Sequence, residues 1–168
     1  MLLKLRTDLT RKLNVIRLLI VNADIFLTEN RVSYLQRLSP RNDHEVKSLK
    51  KLGVDTVAFS TRASEAICSI ASRLEVASLH QGVSQKSVIY SKLKTIHSTT
   101  DNEIAFIGGD FSDLSIIERV NFSVAAADAP LEVKAKSYYV TYGVGEEAVR
   151  EVAELILRAK NGSNGWSK

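Results

Sequence analysis

The stretch Leu18-Leu19-Ile20-Val21-Asn22-Ala23-Asp24-Ile25-Phe26-Leu27-Thr28 decides how the rest of the chain is read. With Ile16 and Arg17 in front of it, the chain is almost continuously apolar up to Val21 and then turns to an asparagine and an aspartate. A strand apolar at consecutive positions has to be covered on both faces, which is the condition of a central strand in a parallel sheet. The run from Leu18 to Ala23 is far too short to cross a membrane, since a spanning helix needs about 20 apolar residues.

On the far side of this strand, short β-branched runs alternate with segments of helical period. Residues 44–52 carry Val46, Leu49 and Leu52 at helical spacing and stop at Gly53, a good helix end. The pattern then predicts a strand over 54–59, a helix over 63–74, a strand over 76–79 and a helix over 84–96. A strand over 104–107 closes at Gly108-Gly109, and a helix over 113–120 follows. Extended segments over 122–126 and 138–141 precede a final helix over 146–160, with Val149, Val152, Ala153 and Ile156 facing inward. Repeated strand and helix units without a run of hairpins imply an α/β fold, a parallel sheet with helices on both faces.

The 168 residues are 45% hydrophobic, 25% charged and 7% aromatic, an ordinary globular profile. A chain of this size buries roughly two thirds of its unfolded surface, so its core needs no disulfide or structural metal. The single cysteine, Cys68, sits between Ile67 and Ser69 near Ile70 and reads as a small buried hydrophobe in a reducing compartment. The 23 Lys and Arg exceed the 19 Asp and Glu to give a formal charge of +4, but they are scattered among acids and no nucleic-acid motif accompanies them. Only residues 1–14, followed by Arg17, are locally basic. There Leu2, Leu3, Leu5, Leu9 and Leu13 recur near helical spacing, while Lys4 and Arg6 break any signal-peptide core. An amphipathic helix covering a single domain over 1–160 is expected, with a flexible tail over 161–168 that holds Trp166. The expected location is cytoplasmic.

In an open parallel sheet the ligand site lies beyond the carboxyl ends of the strands. That rule gathers Asn22 and Asp24 after the first strand, Ser60, Thr61 and Arg62 after the second, and Gly109, Asp110 and Asp113 after the 104–107 strand. Lys86, at a helix start after Gly82, lies close enough to join them. A hydroxyl and a lysine are suited to hold phosphate oxygens, and carboxylates to hold magnesium and move protons.

These residues resemble the haloacid dehalogenase-like phosphatases, whose first motif reads Asp-x-Asp-Gly-x-Leu-Thr. Phe59-Ser60-Thr61-Arg62 resembles the second motif, Gln81-Gly82-Val83-Ser84-Gln85-Lys86 the third, and residues 106–113 the fourth. The likeness is closest to the capless 3-deoxy-D-manno-octulosonate 8-phosphate phosphatases and the C-terminal domain of CMP-sialic acid synthetases (N-acylneuraminate cytidylyltransferases). It extends through Val124 to Ala129, Tyr139-Val140-Thr141 and Ala148 to Glu151. The resemblance implies a three-layer α/β/α, Rossmann-like fold without a large cap. It further implies a general acid/base and backbone-carbonyl metal ligand at Asp24, phosphate binding by Ser60 and Lys86, and metal ligands at Asp110 and Asp113.

The departures fall on the chemistry. The nucleophile position is Asn22, and an amide is a very poor nucleophile. The metal-binding aspartate that follows the first glycine of the fourth motif is Gly109 here, and the glycine after the second aspartate of the first motif is Ile25, followed by Phe26. Ordinary structural roles stand beside each functional one: a turn cap for Asp24, strand-end hydrogen bonding for Ser60, a surface helix-start lysine for Lys86, and a turn residue and helix cap for Asp110 and Asp113. The family's projecting hairpin is shortened around Arg31 to Leu38, and Glu146-Glu147 disfavour a phosphorylated ligand near the last helix. The expectation is a non-catalytic binding or oligomerisation module linked to sialic-acid or sugar-acid activation. It would form a homo-oligomer, a tetramer by the resemblance, with a sugar-nucleotide-synthesis enzyme as partner and weak or no Mg2+ binding. The alternative is a weakly active magnesium-dependent sugar-phosphate phosphatase.

Overall fold

A computed structural model describes residues 2–27 and 44–162. Thr28, the expected short hairpin around Arg31 to Leu38, and Trp166 lie outside the described residues. The strands are β1 (Leu18–Asn22), β2 (Asp55–Phe59), β3 (Ser78–His80), β4 (Ile104–Gly108), β5 (Phe122–Ala125) and β6 (Tyr139–Val140). The helices are α1 (Leu2–Asn14), α2 (His44–Lys51), α3 (Glu65–Arg73), α4 (Lys86–Ile96), α5 (Leu114–Ile117), α6 (Leu131–Lys136) and α7 (Glu146–Gly162).

Among the described residues all strand pairings are parallel, in the order β3-β2-β1-β4-β5-β6. Side chains alternate across a strand, and here the alternation divides the core in two. Leu19, Val21, Ala58, Ala105, Ile107 and Val124 join the cluster that buries α1, α2, α3 and α7. Leu18, Ile20, Val57, Phe59, Phe106 and Ala125 join the cluster that buries α4, α5 and α6. The result is the three-layer α/β/α architecture that the continuous apolar strands imply. Among the described residues, no helix is long and apolar enough to cross a membrane.

α1 is tied down by its basic end. Lys12 Nζ donates to the carbonyl and to Oδ1 of Asn121, both at 3.2 Å, and Asn121 Nδ2 returns a bond to the Lys12 carbonyl at 3.0 Å. Lys160 Nζ donates to the Asn14 carbonyl at 2.7 Å. The locally basic N-terminus therefore spends part of its charge on holding the helix to the domain.

Several sequence expectations need correction. Cys68 is exposed, not buried. The inward stripe of α3 is Ile67, Ile70 and Ala71, and Cys68 falls one position off it. The helix expected over 113–120 is a 3-10 turn, Phe111–Asp113, followed by the single turn of α5. α6 is absent from the sequence reading because Val133 is its one buried residue, too few to set up a period. The third strand begins two residues later than expected, since Val76 precedes the edge pairing of Ser78–His80 with β2.

Candidate active site

The chain runs outward from β1 to β2 and β3, then crosses back to β4 on the other side, so β1 and β4 flank the point where the strand order reverses. Crevices form at such points because consecutive connections leave on opposite faces of the sheet. A pocket of about 230 Å³ opens there. Asn22, Asp24 and Ile25 line it after β1, and Thr61 and Arg62 after β2. Gly109 and Asp110 line it after β4, joined by Asp128 from the loop beyond β5.

Two hydrogen-bonded groups build the site. The first centres on Asp24, which sits in the 3-10 turn Ala23–Phe26 that follows β1. Its Oδ1 accepts the Ser60 hydroxyl at 2.6 Å, and its Oδ2 accepts the Thr61 hydroxyl at 2.7 Å. The Thr61 backbone N–H adds contacts of 3.2 Å to both oxygens. Ser60 also accepts the Arg62 N–H at 3.0 Å, so it serves the strand end as well as the carboxylate. Asp24 is thus held by two hydroxyls across the β1–β2 gap rather than only capping its own turn.

The second group centres on Asp113, which is fully buried. Asn22 Nδ2 donates to its Oδ1 and Oδ2 at 3.1 and 2.9 Å. Lys86 Nζ donates to Asp113 Oδ1 at 2.8 Å and to both oxygens of Asp110 at 2.9 and 3.0 Å. The N–H groups of Gly109 and Asp110 complete the shell around Asp113 Oδ2 at 2.8 and 3.1 Å. Gly108 leaves room for this: a Cβ there would stand 2.8 Å from the Asp113 side chain. The two groups are linked by the Asp24 N–H, which donates to Asn22 Oδ1 at 3.0 Å.

Lys86 is only 7% exposed and is no surface lysine. Burial alone would lower its pKa, but the Asp113 and Asp110 carboxylates outweigh burial and hold the ammonium above the ordinary lysine value. Asp110 is the N-cap of the 3-10 turn and accepts the Ser112 N–H at 2.9 Å. Burial pushes its pKa up, yet Ser112 and Lys86 prevail and hold it below the usual carboxylate value.

The structure brings Asn22, Asp24, Ser60, Lys86, Asp110 and Asp113 into one neighbourhood, as the carboxyl-end rule predicts. It divides them differently, because Ser60 and Lys86, the expected phosphate holders, do not line the pocket and face carboxylates instead. Thr61 and Arg62, which the carboxyl-end rule gathers without giving them a role, line it, and so does Asp128, which the rule does not gather and nothing in the spacing marks. Of the two bulky residues after Asp24, only Ile25 lines the pocket, while Phe26 is buried in the core.

A hard divalent cation takes six or more oxygens, several of them anionic. Here Lys86 occupies Asp110 and Asp113, and the Asp24 carbonyl accepts the Leu27 N–H at 3.1 Å. Among the described residues no three His, Cys, Asp or Glu side chains gather as a metal site.

No family model matches the chain. A curated 3-deoxy-D-manno-octulosonate 8-phosphate phosphatase from Yersinia pestis is 30% identical over 165 residues, covering 94% of this chain and 88% of the relative. The crystal structure of the Yersinia pestis phosphatase superposes with a TM-score of 0.78 at 29% identity, over 94% of this chain and 89% of that one. The cobalt-bound deoxy-D-mannose-octulosonate 8-phosphate phosphatase from Haemophilus influenzae gives a TM-score of 0.76 at 26% identity, over 94% and 96% of the two chains. With 30% identity over 94% of its length and the same fold, the chain belongs to the octulosonate 8-phosphate phosphatase family of the haloacid dehalogenase fold.

Proposed function

We propose that this chain binds a sugar-acid ligand in the family pocket without forming an aspartyl-phosphate, and that it holds no magnesium there. The observation that supports this is the seating of Asn22. Its amide donates to both oxygens of a buried carboxylate, and its Oδ1 caps the next turn. An amide in that setting offers no anionic oxygen to attack phosphorus. The cation facing the remaining acids is the Lys86 ammonium, within 3.0 Å of both Asp110 and Asp113. Arg62, which lines the pocket, supplies a positive charge for the ligand's carboxylate or phosphate.

The relatives favour a second reading, since they carry the name of an octulosonate phosphate phosphatase. Asp24 lines the pocket and is the group that would serve it, taking a proton from a water whose oxygen bonds to phosphorus as the ester P–O bond breaks, and passing that proton to the departing sugar oxygen. This route is slow because the water replaces a positioned covalent nucleophile.

The two readings separate in one experiment. The purified protein is incubated with 3-deoxy-D-manno-octulosonate 8-phosphate and with p-nitrophenyl phosphate, with and without magnesium, while calorimetry follows binding of 3-deoxy-D-manno-octulosonate. Saturable binding with turnover no higher than in Asp24→Asn supports the first reading. Magnesium-dependent hydrolysis that Asp24→Asn abolishes establishes the second. A cytoplasmic homotetramer and a link to CMP-sugar synthesis belong to the same proposal, on the likeness to CMP-sialic acid synthetase domains. Light scattering and co-purification with a sugar cytidylyltransferase test them.

A further inference from the structure

Gly109 has no conformational reason to be glycine. Among the described residues the positive-φ glycines are Gly53, Gly82 and Gly145, so the backbone at 109 admits an ordinary L-residue. What excludes a side chain is space. A Cβ built on Gly109 would stand 2.8 Å from Ile25 Cγ2, well inside van der Waals contact. That methyl is attached directly to the Ile25 Cβ, so only a change of χ1 moves it, and a β-branched residue has few such states. Ile25 is also 5% exposed and belongs to the core cluster under α2, α3 and α7, so a new rotamer would displace packed neighbours.

From this contact we infer that Ile25 is the residue that keeps position 109 a glycine, and that it thereby shuts the β4 side of the pocket to a metal-binding carboxylate. The inference rests on the reading of the site as metal-free and gives that reading a steric cause. The motif of the first strand carries a glycine at position 25, and the motif after β4 an acid at position 109. Here the side chain has moved across the pocket, from the β4 loop to the β1 turn. The exchange puts a larger, apolar group where a charged one would have faced a cation. The departures at 25 and 109 are therefore sterically coupled. Restoring the carboxylates at 22 and 109 does not rebuild a cation site while Ile25 stands.

A thermodynamic cycle tests the steric half. Thermal unfolding is measured for the parent, Gly109→Ala, Ile25→Gly and the double variant. Overpacking of this kind costs about 1 to 3 kcal/mol, a fall in midpoint of roughly 3 to 10 °C for a chain of this length. Gly109→Ala is expected to show that fall in the parent and little or none in the Ile25→Gly background. An equal fall in both backgrounds overturns the inference. Manganese titration followed by electron paramagnetic resonance tests the other half. Asn22→Asp/Gly109→Asp is compared with the same pair carrying Ile25→Gly, which should bind at least about tenfold more tightly, a difference of about 1.4 kcal/mol. Equal affinity overturns the gating role. Magnesium-dependent hydrolysis by the parent protein would refute the metal-free reading, whereas the cycle would still report on Ile25, so the two failures are distinguishable.

Discussion

Asn22 Nδ2 stands 3.1 and 2.9 Å from the two carboxylate oxygens of Asp113, a residue that water does not reach. The amide gives that carboxylate a donor, and Lys86 gives it a counter-ion at 2.8 Å. A buried charge is tolerated only when paired and hydrogen-bonded, and Asp113 has both. The position that the family motif uses for a nucleophile is here part of the support of a neighbouring acid.

Asn22→Asp should therefore destabilise the fold. It sets two carboxylates about 3 Å apart in place of a donor and an acceptor, and leaves a buried acceptor short of its partner. A loss of about 1 to 3 kcal/mol is expected in urea unfolding. The exchange Asn22→Asp with Asp113→Asn restores one donor facing one acceptor and should recover at least half of it. No recovery would mean that the amide and the acid are not the pair that sets the cost.

Lys86→Met should cost more. Lys86 is 7% exposed, and its ammonium bridges Asp110 and Asp113. Removing one partner of a buried ion pair leaves an uncompensated charge, a loss of about 3 to 5 kcal/mol. Because the folded state raises the Lys86 pKa, its contribution is fully present below the ordinary lysine value of 10.5 and is lost only as pH rises through the higher folded value. The penalty of Lys86→Met should accordingly stay constant, at about 3 to 5 kcal/mol, between about pH 6 and 9. A penalty that vanished within that range would contradict the bridge.

The sheet was legible in the sequence because its strands are apolar on both faces, and the site's location followed from where those strands end. What escaped reading was determined by pairing between distant segments. The sequence marks Lys86 as a helix-start lysine, but only the packing of α4 beside the β4 loop shows that it faces acids instead of an open pocket. Cys68 looked buried from its neighbours, and the phase of α3 turned it outward. The Ile25 and Gly109 substitutions are visible as separate departures, and their contact is not, since β1 and β4 become neighbours only in the sheet.

The acid limb of the stability curve should report Asp110. Its folded pKa is depressed, so its contribution is present above the unfolded value of 3.8 and disappears as pH falls through the lower folded value. Asp110→Asn removes this titration. The variant should lose stability less steeply than the parent below about pH 4, with the curves converging as acid is added. Unfolding midpoints taken through that range decide it, and parallel curves would count against the Lys86 and Ser112 contacts as its cause.

Glu146 and Glu147 separate the structural reading of the last helix from the ligand-repelling one. Glu146 is 3% exposed and pairs with Arg73 of α3 and, at 3.3 Å, with Arg150 one turn on. Its charge is thus met by two guanidinium groups and fastens α7 to α3. Glu147, with its side chain 39% exposed, pairs with Arg150 at 2.6 Å. Glu146→Ala should cost about 3 kcal/mol, as for a broken buried pair, and Glu147→Ala less than about 1, as for a surface pair. Calorimetric affinity for 3-deoxy-D-manno-octulosonate should be the same in both variants as in the parent, because neither acid lines the pocket. Tighter binding in either variant would restore the view that these acids turn the ligand away, and would require α7 to reach the site in the assembled protein.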